Sequence, residues 1–224
     1  MPRNPHITAL RRLAAADPAL ASAIAAVGLP PLRERPPGFA SLARIIVGQQ
    51  VSTASAMALW SKLTTDIDPF TPQGVLVRTA DELRVLGLSR QKAAYTLGLA
   101  REITEGRLDL ERLNGLDDEP AILELTRIKG LGRWSAEIYL LFALHRTDIW
   151  PAGDLALQIG MQRLRGLRKR PDEKRMIRLA EPWRPYRGAA AHFLWHYYAK
   201  APFRDRSASH PYVSSGFLNG RGLS

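Results

Sequence analysis

Apolar residues along this chain recur at helical spacing and scarcely ever alternate. Phe39, Leu42, Ile45 and Ile46 form a stripe at i, i+3, i+6 and i+7, the spacing that buries one face of a helix. The longer apolar runs LARII and EIYLLFAL sit inside the same periodicity, so they read as buried helix faces rather than strands. Proline and glycine cut the chain into segments of helical length. Asp17-Pro18 starts an alanine-rich helix that stops near Gly28, and two proline pairs, Pro30-Pro31 and Pro36-Pro37, bracket a connector. Gly48-Gln49-Gln50 interrupts the next stripe, and Ser52 is placed to cap a helix carrying Ala56, Leu59 and Leu63. Further helices are predicted over residues 80–86, 90–105, 120–127, 134–145, 154–165, 173–181 and 187–199. The fold class is therefore all-α. Residues 1–206 are expected to form one domain of two interleaved helical subdomains. Residues 207–224, rich in Ser and Gly, are expected to be a flexible tail.

One unit occurs twice. Val85-Leu86-Gly87-Leu88-Ser89-Arg90 is followed by Ala93, and Ile128-Lys129-Gly130-Leu131-Gly132-Arg133 by Ala136. Both read as a short helix, a glycine-containing turn and a longer helix, that is, a helix–hairpin–helix, the second over about 121–145. Gly130 and Gly132 let the backbone turn sharply and come close to a ligand. The helix that follows points its first N–H groups outward, with the helix dipole behind them, which suits a phosphate oxygen. Gly130, Gly132 and Trp134 can offer amides, Ser135 a hydroxyl, and Lys129 and Arg133 mobile positive charge. Such a clamp grips the nucleic-acid backbone without reading its sequence.

Composition strengthens that reading. The 224 residues hold 32 Lys or Arg against 21 Asp or Glu, a net charge of +11, which favours a polyanion as partner. There is no cysteine, so disulfides, thiolate zinc sites, iron–sulfur clusters and cysteine nucleophiles are all excluded. No stretch of 18 apolar residues exists to span a membrane and no signal peptide is visible, so a cytoplasmic, DNA-associated protein is expected. Residues 161–190 are rich in Arg and Lys, but prolines at 171, 182 and 185 break any continuous basic stripe.

After the second hairpin comes Trp150-Pro151-Ala152-Gly153-Asp154-Leu155, a tight turn that places Asp154 where a helix begins. Taken alone, Asp154 is a helix cap. Taken with what precedes it, GLGRWSAEIY followed by a Pro/Gly-rich turn ending in Asp resembles the helix–hairpin–helix DNA glycosylase superfamily. IIVGQQVSTASA at 45–56 and GLSRQKAAYTLGLA at 87–100 resemble its alkylation-repair branch, the 3-methyladenine DNA glycosylase II type. The likeness covers residues from about 10 to 200.

That resemblance implies two helical subdomains flanking a DNA-binding cleft, and a double-stranded DNA substrate whose damaged base is rotated into a pocket. It gives Asp154 the catalytic role, Trp134, Trp195, Ile138 and Leu155 the base pocket, and Gln50 the wedge that fills the gap in the stack. Gln49 and Ser52 flank that wedge as further DNA-facing residues. Members that also cut the backbone carry a lysine where this chain has Trp134, so a monofunctional enzyme is implied, removing alkylated bases by hydrolysis, 3-methyladenine foremost and 7-methylguanine as a further substrate. No cofactor is required, although hairpins of this kind often hold Na+ or K+ on backbone carbonyls, here those of Thr126, Ile128 and Leu131. A monomer suffices. Two departures stand out: Ile138 replaces a frequent pocket tyrosine, with Tyr139 next to it, and Gly153 replaces an aspartate. The rival readings are a glycosylase of other base specificity and a non-catalytic DNA-binding module, for which Asp154 would have no use.

Overall fold

A computed structural model of the chain describes residues 5–31 and 35–200. The expected tail, 207–224, lies outside them. In chain order the helices are α1 (Pro5–Ala16), α2 (Pro18–Val27), α3 (Phe39–Gly48), α4 (Thr53–Asp66), α5 (Pro72–Leu76), α6 (Ala80–Val85), α7 (Arg90–Thr104), α8 (Asp118–Thr126), α9 (Arg133–Phe142), α10 (Leu155–Leu164), α11 (Glu173–Ala180) and α12 (Arg187–Lys200). Short 3-10 turns occupy Arg112–Gly115 and Glu181–Trp183. No strand occurs among the described residues, and the protein is all-helical. The predicted boundaries hold to within about two residues, the usual scatter at helix ends, except near 145, where α9 stops at Phe142. Two helices went unpredicted. α1 carries His6, Ala9, Leu10 and Leu13 on its buried face, a stripe at helical spacing, while α5 has only five residues, too few to show a period.

The chain divides into two compact units. Among the described residues one comprises 5–31 with 145–200, and the other 35–144. The first is assembled from both ends of the sequence. Leu10, Leu20, Leu157, Met161, Met176, Trp183, Phe193 and Leu194 fill its core. Asp17 knits it together: its carboxylate caps α2 at Leu20 N and accepts from Arg165 Nη1 and Nη2 at 3.1 and 2.6 Å and from Trp183 Nε1 at 2.9 Å. In the second unit α7 is the central helix, packed against α3, α5 and α6, with Leu42, Ile45, Ile46, Leu83, Leu99 and Leu125 buried around it.

Candidate active site and nucleic-acid interface

In the first unit the turn before α10 is built from local bonds. Ala152 N donates to Trp150 O at 2.8 Å and Asp154 N to Pro151 O at 2.9 Å. Gln158 Nε2 reaches back from α10 to Ala152 O at 3.0 Å, and Trp150 Nε1 donates to Met176 O at 3.3 Å. The turn therefore cannot swing freely, and it delivers Asp154 to the N-cap of α10. There the Asp154 Oδ1 accepts from Leu157 N at 2.9 Å and from Trp195 Nε1 at 3.1 Å. The sequence predicted the cap; the indole N–H arriving from α12 is the structural addition. Asp154 and Leu155 are both half-buried, and Trp195 is buried.

Two features bring α12 to that carboxylate. Gly160 of α10 faces Leu194: a Cβ there would lie 3.0 Å from Leu194 O and 3.3 Å from Leu194 Cβ, so the missing side chain permits the close approach. Asp148 then ties down the start of α12, accepting from Arg187 N at 3.2 Å, Arg187 Nε at 2.9 Å and Arg184 Nη1 at 2.8 Å. Tyr198, one turn beyond Trp195, has its pKa raised by burial first and by the Asp154 charge, against the pull of Arg163. Arg163 stacks over the Tyr198 ring at 5.2 Å. Sequence reading missed Tyr198, Arg163, Asp148 and Gly160. The i, i+3 spacing of Trp195 and Tyr198 was the one available sign, because the other three act only through tertiary contact.

The second unit holds the residues expected to form the wedge and the hairpin. Gln50 is exposed, and its backbone is left-handed at φ 55°, a conformation that costs a non-glycine residue on the order of 1 kcal/mol. Ser52 caps α4 through Ser55 N. Gln49 turns inward: its Nε2 donates to Gly130 O at 2.8 Å and Ser135 Oγ at 3.3 Å. Ser135 is buried, so its hydroxyl lies beneath the hairpin turn. The Arg133 guanidinium is engaged by Glu119 at 2.9 Å and Glu137 at 3.0 Å, which holds its pKa above the usual value through the Glu119 bond first, against desolvation. It is thus a fixed charge, where a mobile one was expected. Lys129 is exposed and forms no ion pair among the described residues. Trp134 is 36% exposed on the first turn of α9, whereas Ile138 is buried. The phenol of its neighbour Tyr139 accepts from Gly38 N at 2.9 Å.

The two hairpins differ in how the helix after the turn is capped. Ser89 caps α7 with its own hydroxyl, accepting from Lys92 N at 3.2 Å. Gly132 stands at the corresponding place before α9 and has no side chain with which to cap. A Cβ on Gly132 would meet nothing within 4 Å, so the approach to the first turn of α9 is open. The first turn of α9 thus carries no side-chain cap, which leaves more of its amides available to an external anion than at α7. Thr126, Ile128 and Leu131 border the same polar cavity of about 470 Å³ as Gly130 and Gly132. No cluster of three or more His, Asp or Glu suited to a metal occurs among the described residues.

Residues 43–185 match the profile of the HhH-GPD superfamily base excision DNA repair proteins. The chain is 31% identical over 166 residues to DNA-3-methyladenine glycosylase 1 of Schizosaccharomyces pombe, covering 72% of this chain and 73% of that one. It is 30% identical over 210 residues to DNA-3-methyladenine glycosylase 2 of Escherichia coli, covering 86% and 66%. The structure of the S. pombe 3-methyladenine DNA glycosylase Mag1 in complex with abasic DNA superposes with a TM-score of 0.76 at 28% identity, over 85% of this chain and 95% of that chain.

Proposed function

The chain belongs to the HhH-GPD superfamily of base excision DNA repair proteins, and from that premise we propose that it is a monofunctional DNA glycosylase hydrolysing the N-glycosidic bond of alkylated bases, 3-methyladenine foremost and 7-methylguanine beside it. The observation that carries the proposal is Asp154, held at the N-cap of α10 with the Trp195 indole N–H on its Oδ1. A simple DNA-binding module has no need of a carboxylate fixed from two sides.

The chemistry follows from the residues. Amides at the start of α9, with Lys129 beside them, grip a backbone phosphate. Gln50 enters the stack in place of the extruded nucleotide. Alkylation at N3 or N7 leaves the base cationic and a good leaving group. An aromatic face such as Trp134 or Trp195 attracts it by about 0.5–2 kcal/mol per contact. As the base departs, positive charge grows on the deoxyribose. The Asp154 carboxylate stabilises that charge and orients the attacking water, and the Trp195 N–H fixes its direction. No amine stands at Trp134, so the product is an abasic site with an intact backbone. The carbonyls of Thr126, Ile128 and Leu131 would hold a Na+ or K+ that stiffens the hairpin. A monomer is enough for all of this, and no described helix is long and apolar enough to cross a membrane.

The test is release of free bases from methylated duplex DNA by wild type and Asp154→Asn. Wild type releases 3-methyladenine, and the variant loses activity by about a hundredfold or more, the scale on which a charge-stabilising group acts. Borohydride added during turnover traps no covalent adduct with wild type. Full activity in Asp154→Asn would sink the mechanism, and a trapped adduct would reveal an amine nucleophile.

A further inference from the structure

The second unit contains a closed circuit of contacts that links the wedge turn to the phosphate clamp through α7. Lys92 Nζ donates to Val47 O at 2.7 Å, near the end of α3. One turn along α7, the Tyr95 ring lies against Gly130: a Cβ there would stand 2.5 Å from Tyr95 Cγ, 2.8 Å from Tyr95 Cβ and nearer still to Cδ2. Gly130 is left-handed at φ 99°, so both its conformation and its neighbour require glycine. Its carbonyl then accepts from Gln49 Nε2 at 2.8 Å, which returns the circuit to the turn that carries Gln50. Gln91 Nε2 steadies the ring through the Tyr95 hydroxyl at 2.6 Å.

We propose that Tyr95 and Gln49 are positioning residues that hold Gly130 at two points, its Cα and its carbonyl, so that the clamp at 130–135 and the wedge at Gln50 move as one piece. The proposal rests on the glycosylase reading above and names how its DNA grip is built. Tyr95 presses on the bare Cα face of Gly130, and Gln49 pulls on its carbonyl. Lys92 fixes α3 to the same helix that supplies the ring. A phosphate seated on α9 therefore sets where Gln50 points, with no conformational step between capture and insertion. In this account Gln49 serves the protein backbone and leaves the DNA contact to Gln50.

The test uses a fluorescent duplex with a stable abasic analogue, and a second duplex with 2-aminopurine opposite that site, whose emission reports what fills the gap. Tyr95→Leu should raise the dissociation constant about tenfold, and at saturating protein the 2-aminopurine response should drop by about half although Gln50 is intact, as expected when a supporting residue is removed. Tyr95→Phe keeps the ring and restores both. Gln49→Leu reproduces the loss, and the double variant Tyr95→Leu with Gln49→Leu is no worse than about threefold beyond the weaker-binding single, because both act through Gly130. Circular dichroism and thermal unfolding establish that each variant is folded; should Tyr95→Leu fail to fold, Gln49→Leu, at an accessible turn, carries the test. Wild-type affinity and response in Tyr95→Leu would overturn the proposal, as would a Tyr95→Phe variant as damaged as Tyr95→Leu, or losses that multiply in the double variant. A wild type that fails to bind the duplex would overturn the functional reading as well, whereas one that binds but releases no base would overturn only the catalytic part.

Discussion

Gly160 decides how Asp154 is held, although it touches neither the carboxylate nor the turn before it. Its missing side chain lets α12 lie against α10, with Leu194 O only 3.0 Å from where a Cβ would be, and Trp195 is the next residue along. Gly160→Val places branched carbons against the Leu194 backbone, which cannot move aside without shifting α12. Overpacking of this kind costs about 1–3 kcal/mol, and here it also draws the Trp195 indole away from Asp154. The expected outcome is a folded enzyme of lowered melting temperature whose single-turnover rate of base release falls about tenfold or more, while its affinity for abasic duplex changes little. Unchanged turnover would show that Trp195 is not what directs the carboxylate. Asp154 itself was legible in the sequence, because a Pro/Gly turn ending in Asp is a local signal. Gly160 and Asp148 were not, since their partners lie 34 and 36–39 residues away along the chain, and nothing local marks a pairing at that separation.

At the scale of elements, the repeated hairpin shows how one residue assigns a job to a helix. The two turns read GLSR and GLGR, and the difference falls on the N-cap. Ser89 satisfies an amide of α7 internally, so that helix is free to act as the spine of its unit. Gly132 gives α9 no side-chain cap, and in the proposed function its first amides meet a phosphate. Substituting Gly132→Asp should therefore separate stability from binding. Gly132 has φ −86° and open space around the new Cβ, so aspartate fits, and a side-chain cap is worth about 1 kcal/mol to the helix. The same carboxylate occupies the anion's place and repels it. Thermal unfolding should rise slightly, whereas DNA affinity should fall at least about tenfold at low salt, with a shallower dependence on salt concentration because a phosphate contact is gone. An affinity equal to wild type would remove the α9 terminus from the interface. The echo itself was visible in the sequence, as were the stripes of α3 and the N-caps at Asp17 and Ser52. The fixing of Arg133 by Glu119 was not, because a basic residue beside a glycine turn reads the same whether it faces phosphate or a carboxylate 14 residues earlier.

At the scale of the whole molecule, the unit that carries Asp154 is closed by titratable groups, which makes its stability depend on pH in a definite direction. His6 of α1 lies against His192 of α12, ring centroids 4.4 Å apart and planes tilted by 45°, and burial first, then the charge of His145, lowers its pKa to about 4. The unfolded chain, with His6 near its ordinary 6.5, binds a proton that the folded chain refuses between those values. Stability therefore falls as pH drops from about 6.5, by an amount approaching about 3 kcal/mol near pH 4. Asp17 acts in the same sense at lower pH. Burial would raise its pKa, but the bonds from Arg165, Trp183 and Leu20 together bring it below the ordinary carboxylate range. Its contribution is present above about pH 4 and is lost as pH falls through the folded value. Acid should therefore loosen the contacts of α1 and α2 with α10 and α12, which join the two ends of the chain. Denaturant midpoints measured from pH 7 to pH 3 should show a wild-type decline beginning near pH 6.5. His6→Leu should flatten that first decline while leaving the later one. Asp17→Asn should lower the midpoint by a roughly constant amount at pH 5–7, about 2–3 kcal/mol in stability for breaking a partly buried ion pair, and should remove the later decline. A wild-type midpoint that stays level down to pH 4 would mean that His6 takes up its proton in the folded state, and the His6–His192 contact would then have to accommodate a charge.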